Sequence, residues 1–277
     1  MFSSIGLIGA GTMGSAVLQA AAKGAPGAAL YCSNRTPAKA QALAQQLGGQ
    51  AVDNAAVART CSLIFLGVKP QMMAGVLADL APILAQRTDR FVLASMAAGL
   101  DAQAIQTLAG GKYPVICLMP NTPVAVGAGV VQYYGVDTTQ EELDAFRTLM
   151  APAGLVDSIE PHLLPAASGV SGCGPAFCAL FIEALADGGV ACGLPRAKAL
   201  AYAAQMVEGT AKLMMEKGLH PGQLKDGVCS PGGTTIQGVR VLEERGFRAA
   251  AMDAVIATFE KSQSLGCLLY TSPSPRD

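Results

Sequence analysis

Two glycine turns, each opening a helix, are the parts of this sequence best equipped for chemistry. The first, Gly9-Ala10-Gly11-Thr12-Met13-Gly14, follows the apolar run Ile5-Gly6-Leu7-Ile8 and leads into Ser15-Ala16-Val17-Leu18. Strand, glycine loop and helix in that order are the setting in which G-x-G-x-x-G binds a dinucleotide. The first glycine permits a tight turn, and the second lets the backbone approach a pyrophosphate. The third lets helix and strand pack closely, while the helix N-terminus faces the phosphates. The second turn, Ser230-Pro231-Gly232-Gly233-Thr234-Thr235, opens a helix whose unpaired N–H groups suit a carboxylate, with hydroxyls alongside. An ordinary helix cap would have much the same composition.

Cofactor choice is made about 20 residues past the last glycine, at the end of the second strand. That offset falls in Ser33-Asn34-Arg35-Thr36, where no carboxylate waits for a ribose 2′-hydroxyl. Arg35 offers a planar fork of donors to a 2′-phosphate, and Ser33, Asn34 and Thr36 add hydrogen bonds. The expected cofactor is therefore NADPH, with NADH as the alternative. Lys39, one helical turn on, reads as a surface cation.

Three further loops follow apolar strand candidates, where an open α/β sheet places its ligands. They are Gly67-Val68-Lys69-Pro70, Ser95-Met96-Ala97-Ala98-Gly99 and Met119-Pro120-Asn121-Thr122-Pro123. Lys69, held extended by the proline after it, is expected to meet the cofactor or attract an anionic substrate. Ala97, Ala98 and Gly99 leave backbone groups free beside a nicotinamide. Asn121 gives a polar edge to a rigid loop.

Elements must position these loops. Strands are predicted over Ile5–Ile8, Ala29–Cys32, Leu63–Gly67, Phe91–Ser95, Val115–Leu118 and Gly129–Gln132. Helices are predicted over Pro37–Leu47, Gln71–Leu84, Ala102–Leu108 and Glu141–Met150. The alternation predicts an α/β fold, an N-terminal Rossmann-like doubly wound parallel sheet. From about residue 160 strand patterns cease, and helices are predicted over Pro175–Ala191, Pro195–Lys217, Thr234–Glu244 and Arg248–Ser262. The expected organisation is a cofactor domain over residues 1–160 and an all-helical C-terminal domain over 161–265, with the boundary near 158–165. Residues 266–277 lose helical periodicity and gain two prolines, so a non-native or flexible extension is expected there.

Composition narrows the class. The 277 residues carry a net charge of −1, which argues against nucleic acid or an anionic membrane as partner. Only 14 % of residues are charged, and mean hydropathy is +0.39. Yet no apolar stretch reaches about 18 uninterrupted residues, and Phe177–Val190 contains Glu183 and Asp187. Burial between subunits explains such a composition, so an obligate oligomer is expected. No secretory signal is read at the N-terminus. The eight cysteines form no C-x-x-C pair and only two histidines occur. Neither a disulfide framework nor a metal site is expected, and most of the cysteines read as core residues of a cytoplasmic protein.

Over residues 1–265 the chain resembles the pyrroline-5-carboxylate reductases. The motifs that carry the resemblance are Gly9–Gly14, Val68-Lys69-Pro70-Gln71, Ala97-Ala98-Gly99, Met119–Pro123, Ser171-Gly172-Cys173-Gly174-Pro175-Ala176 and Ala186-Asp187-Gly188-Gly189-Val190. Above all there is His220-Pro221-Gly222-Gln223-Leu224-Lys225-Asp226 running into Ser230–Thr235. The resemblance implies reduction of 1-pyrroline-5-carboxylate to L-proline by NAD(P)H, the last step of proline biosynthesis. It implies a helical domain that interlocks with a second subunit, dimers that assemble further into decamers, and an active site shared by the pair. By the same resemblance, Gly9, Ala10, Gly11, Thr12, Met13 and Gly14 cradle the cofactor, Asn54 touches its adenosine, and Val68, Lys69 and Pro70 its ribose and nicotinamide region. Ser230, Gly233, Thr234 and Thr235 hold the substrate carboxylate, and the Thr235 hydroxyl reaches the ring nitrogen as the catalytic group. Two positions depart from the family pattern: Gly227 where many members carry Asn or Gln, and Cys173 where Ser is usual. The β-hydroxyacid dehydrogenases share the glycine loop, but they need a lysine and an asparagine that Pro175–Ala191 lacks. A non-catalytic NADPH sensor would have no use for the second anion cradle.

Overall fold

A computed structural model describes residues 2–270, with side-chain surroundings through residue 264. The chain divides into two compact units. One runs through Gly172 and takes up the chain again at Phe259; the other is Cys173–Thr258.

In the first unit the elements in chain order are β1 (Ser4–Ile8), α1 (Thr12–Gly24), β2 (Ala29–Ser33), α2 (Pro37–Leu47), β3 (Gln50–Ala51), α3 (Asn54–Thr60) and β4 (Leu63–Leu66). Then come α4 (Pro70–Leu84), β5 (Val92–Ser95), α5 (Ala102–Ala109), β6 (Val115–Pro120), β7 (Gly129–Val136), α6 (Gln140–Met150), β8 (Gly154–Ser158) and α7 (Leu164–Ser171). The sheet order is β3-β2-β1-β4-β5-β6-β7-β8. Every neighbouring pair is parallel except β6 and β7, which run antiparallel with Met119 opposite Gln132. The predicted parallel sheet is thus corrected at one seam. Between Pro120 and Gly129 there is room only for a short 3-10 turn (Thr122–Val126), too little chain for the crossover that a parallel return requires.

Alternation along the strands builds two cores. Leu7, Leu63, Phe65, Ala94, Ile116 and Leu118 point toward α1, α2 and α6. Ile8, Ile64, Leu66, Leu93, Val115 and Cys117 point toward α3, α4 and α5. Each fully buried Leu, Ile or Phe contributes roughly 1.5–3 kcal/mol, so the two filled faces supply this unit's main stabilising term. Strand β3 and helix α3 carry no predicted signal because one has two exposed residues and the other only seven. Strand β8 also escapes prediction: three of its five residues are exposed, so period-two burial is weak.

The second unit holds α8 (Gly174–Ala191), α9 (Arg196–Lys217), α10 (Pro221–Val228), α11 (Thr234–Glu244) and most of α12 (Phe247–Tyr270). Its buried side chains are only Ala186, Ala199 and Ala203, while Leu180, Tyr202, Met215, Met252 and Ile256 are exposed, Met215 by 77 %. Helix α12 runs to Tyr270, past its predicted end. The rest of the predicted extension, 271–277, lies outside the described residues. Among the described residues one helical run, Pro161–Ala191, is long and apolar enough to cross a membrane by length and composition. It contains Glu183 and an Asp187 paired with Arg196.

Of the seven described cysteines all are free, but only Cys32, Cys61 and Cys117 are buried, fewer than composition suggested. Desolvation pushes the Cys61 and Cys117 thiols up to about 11, which makes them inert.

A capping box ties α6 to the sheet. Thr139 Oγ1 accepts from the Glu142 N–H, and the Glu142 carboxylate accepts from the Thr139 N–H and pairs with Arg90 at 2.7 Å. Burial pushes the Glu142 carboxyl up, but the Arg90 guanidinium and the Thr139 N–H outweigh it and hold it below the ordinary range. A carboxyl depressed in the folded state stabilises above its unfolded pKa, and that contribution fades as pH falls through the folded value. Replacing Glu142 with Ala is expected to cost about 1 kcal/mol near neutrality. In thermal melts across pH, the gap from the unmodified chain should narrow below about pH 4.5.

Candidate functional site

The carboxyl ends of β1, β2 and β4 border one cavity of about 1090 Å³. Gly9 has φ +102°, and a Cβ there would lie 2.7 Å from the Gly67 carbonyl carbon and 2.9 Å from the Val68 nitrogen. The turn after β1 therefore packs backbone against backbone on the turn after β4. Its N–H donates to the Ser33 carbonyl at 2.9 Å, and the Gly67 N–H donates to the Ile8 carbonyl at 2.8 Å. Gly14 closes the helix onto the strand, since a Cβ there would sit 2.5 Å from the Gly9 oxygen. Gly11 is different: a Cβ would meet nothing within 4 Å. Of the three loop glycines, Gly11 alone meets no part of the chain that would exclude a side chain.

Helix α1 begins after Gly11 with no side-chain cap and no acidic residue in its first turn. The N–H groups of Thr12, Met13 and Gly14 are thus left for an anion. Cations border the same space. Arg35, Lys39 and Lys69 line the cavity, and among the described residues none pairs with a carboxylate. Arg35 is exposed in the loop after β2, just before the Thr36 cap of α2, which also lacks an acidic first turn. Lys69 caps α4 in the extended conformation (φ −63°, ψ 146°) that its proline neighbour demands. Ser33, 4 % exposed, donates its hydroxyl to Asn54 Oδ1 at 2.6 Å. That contact uses the oxygen end of the carboxamide and leaves Nδ2 as the end able to donate. Asp53 caps α3 by accepting from the Ala56 N–H at 2.6 Å, which fixes Asn54 at the cavity edge.

These features fit a phosphorylated dinucleotide: a helix start with free donors, space against Gly11, and an arginine without a carboxylate partner where a 2′-phosphate would lie. Gly9, Gly11, Ser33, Asn34, Arg35, Asn54, Val68 and Lys69 meet on this cavity; Ala10 in its loop, and Thr12, Met13, Gly14 and Pro70 in the first turns of α1 and α4, are not in its lining. Ala97, Ala98 and Gly99 are also absent from the lining, although their loop is close by. The Met96 N–H donates to the Leu66 carbonyl at 3.2 Å, and the Ala97 N–H donates to Ser95 Oγ at 3.3 Å. Sequence reasoning missed the apolar wall from α4, which includes Met72, Val76, Leu80 and Ile83. Its helical spacing read only as core. Asn121 is corrected as well, from a polar edge to a buried structural group bonded at both ends of its carboxamide.

In the second unit, Gly232 (φ +71°) turns the chain, and the Gly233 N–H donates to the Ser230 carbonyl at 3.0 Å. Gly233 then caps α11 with no side-chain hydrogen bond, and the first turn has no acidic residue. Thr234 and Thr235 are exposed at that helix start. Ser230, Gly233, Thr234 and Thr235 thus stand together at one turn and helix start.

A family model described as pyrroline-5-carboxylate reductase dimerisation matches residues 161–265. Another, described as NADP oxidoreductase coenzyme F420-dependent, matches residues 4–99. The pyrroline-5-carboxylate reductase of Escherichia coli strain K12 is 41 % identical over 274 residues, covering 96 % of this chain and 99 % of its own.

The chain belongs to the pyrroline-5-carboxylate reductase family. A solved member from Coxiella burnetii shares 28 % identity at a TM-score of 0.86, over 95 % of this chain and 98 % of its own. One from Plasmodium falciparum, solved with NADP bound, shares 29 % at 0.82, with coverages of 95 % and 98 %. An imine reductase from a Pseudomonas species, 18 % identical, shares only the fold.

The glycines offer a clean test of the cofactor cradle. Gly11→Ala should fold with stability within about 0.5 kcal/mol of the parent yet weaken NADPH binding about tenfold or more, because its methyl fills cofactor space. Gly9→Ala, strained in φ and overlapping Gly67, should lower the melting temperature instead. Calorimetric melts and fluorescence titration with NADPH separate the two outcomes.

Proposed function

We propose that this chain is an NADPH-dependent oxidoreductase that reduces the C=N bond of 1-pyrroline-5-carboxylate to give L-proline. The single observation that carries this reading is the pairing of two uncapped helix starts in one family member. One is at Gly11 beside a cationic cavity, the other at Gly233 beside two threonines. When bound, NADPH supplies the hydride that forms the new C–H bond at the imine carbon, whose π electrons pass to nitrogen.

The chain's own residues bind and orient. N–H groups at the start of α1 take the pyrophosphate, and Arg35 with Ser33 and Asn34 takes the 2′-phosphate end. Asn54 Nδ2 donates to the adenosine, while Val68, Lys69 and Pro70 line the way to the nicotinamide, beside Ala97, Ala98 and Gly99. The substrate carboxylate rests on Ser230, Gly233 and Thr234, and the Thr235 hydroxyl orients the ring nitrogen. A protonated imine accepts hydride readily, so the protein's task is alignment in near-attack geometry.

In the same reading residues 1–160 are the cofactor domain and 161–265 the dimerisation domain. The limits of the dimerisation family model support that division. A homodimer is the minimal assembly, because the second unit leaves Leu180, Tyr202, Met215 and Ile256 exposed and buries almost nothing alone. Pro161–Ala191 belongs to that subunit-facing surface rather than to a membrane, as its Glu183 and Asp187 argue. Decamers are the further assembly that family resemblance implies. Seven free thiols support a cytoplasmic location.

Purified protein with NADPH should consume reduced nicotinamide only when pyrroline-5-carboxylate is added. Thr235→Ala should cut kcat about tenfold to a hundredfold, whereas Lys39→Ala should leave it close to the parent value. Arg35→Ala should raise KM for NADPH about tenfold, the loss of one charge-assisted contact, and leave KM for NADH little changed. Equal, negligible effects in steady-state assays would dismiss the assigned site.

A further inference from the structure

The first unit ends in a polar cluster that the cofactor cradle does not use. Asn121, 6 % exposed at the end of β6, accepts from the Val130 N–H through Oδ1 at 2.8 Å and donates through Nδ2 to the Ser171 carbonyl at 3.0 Å. Gln132, also 6 % exposed and on β7, donates through Nε2 to Ser171 Oγ at 2.6 Å. Ser171 Oγ in turn donates to the Ala167 carbonyl at 3.0 Å. Two buried carboxamides on the antiparallel seam therefore hold one residue, by its backbone and by its side chain. That residue closes α7, one position before the first unit gives way to the second at Gly172–Cys173. Gly172 is itself confined, since a Cβ there would meet the Ser168 oxygen at 2.8 Å.

Gln132 is held at a cost. Its Oε1 is buried and has no hydrogen-bond partner among the described residues. An unpaired buried acceptor destabilises a fold, and an apolar side chain of similar length would avoid the penalty. Stability alone does not explain a glutamine here; the grip of its Nε2 on Ser171 does.

We propose that Gln132 and Asn121 are positioning residues for the reduction: by clamping Ser171 they set the place and direction in which the chain leaves the cofactor-binding unit. The inference rests on the proposed activity. Hydride transfer needs cofactor and imine carbon held near 3–3.5 Å, and misplacement by about 1 Å costs on the order of a hundredfold in rate. The chain passes between the unit that carries the cofactor cradle and the unit that carries the carboxylate cradle at Gly172–Cys173 and at Thr258–Phe259. Of these two passages, the first is the one that the buried carboxamides brace.

Gln132→Met and Ser171→Ala, each in the full chain, test this. Four readouts are needed: melting temperature, NADPH Kd, kcat and KM for pyrroline-5-carboxylate, and hydrogen exchange of the Gly172, Cys173 and Gly174 amides. Gln132→Met is expected to melt at or above the parent temperature and to keep NADPH Kd within about twofold. Both variants should exchange faster at the three amides and lose about tenfold or more in kcat, with KM moving less. A kcat within about twofold of the parent in both variants overturns the proposal. So does a lowered melting temperature with parallel losses in kcat and NADPH affinity, which marks a merely structural role. If the parent chain does not reduce pyrroline-5-carboxylate, the proposed activity falls instead. Amide exchange then still judges the clamp, and unchanged rates overturn it.

Discussion

The backbone contact between the turns after β1 and β4 is the constraint on which the cofactor side depends. A Cβ at Gly9 or at Gly67 would drive one turn into the other, each lying within 2.8 Å of opposing backbone atoms. Their contact keeps the two strand ends level and leaves the start of α1 facing open space instead of protein. Everything placed around that space follows: Ser33 bonded to the Gly9 N–H through its carbonyl and to Asn54 through its hydroxyl, and Lys69 carried on the next turn of chain. A strand end offset by even one residue would turn these donors away, because side chains alternate with period two.

The two units solve the burial problem differently. The first fills both faces of its sheet with Leu, Ile, Val and Phe. The second buries three alanines and displays large apolar side chains along α8, α9 and α12. Helices that bury so little gain too little to offset the entropy of ordering them. Such a face is suited to an interface with another subunit, in keeping with the dimerisation family model matched over residues 161–265. The proposed function links catalytic capacity to assembly, since the helix start assigned there to the substrate carboxylate lies in this same unit.

Much of this was legible in residue order. The glycine loop and the run from His220 to Thr235 stand out by backbone requirement, and the missing acid after β2 by charge; neither signal depends on distant neighbours. Long amphipathic helices such as α9 and α11 were legible because their periodicity is local. Strands β3 and β8 were not, since their pairing comes from the sheet and not from their own pattern. Helix α10 was hidden within a Pro-Gly-rich run, where His220 Nδ1 accepts from the Gly222 N–H and the His220 N–H donates to Gln223.

The sequence by itself marked two helix starts, after Gly11 and after Gly233, as lacking acidic residues in their first turns, because glycine, proline and missing carboxylates act through local conformation and charge. Tertiary structure alone decided that β7 returns antiparallel, that α4 walls the cofactor cavity, and that Asn121 is spent on Ser171 instead of on a ligand. Each of those outcomes depends on which distant segments become neighbours, and hydrogen bonding and burial settle that only once the chain is folded.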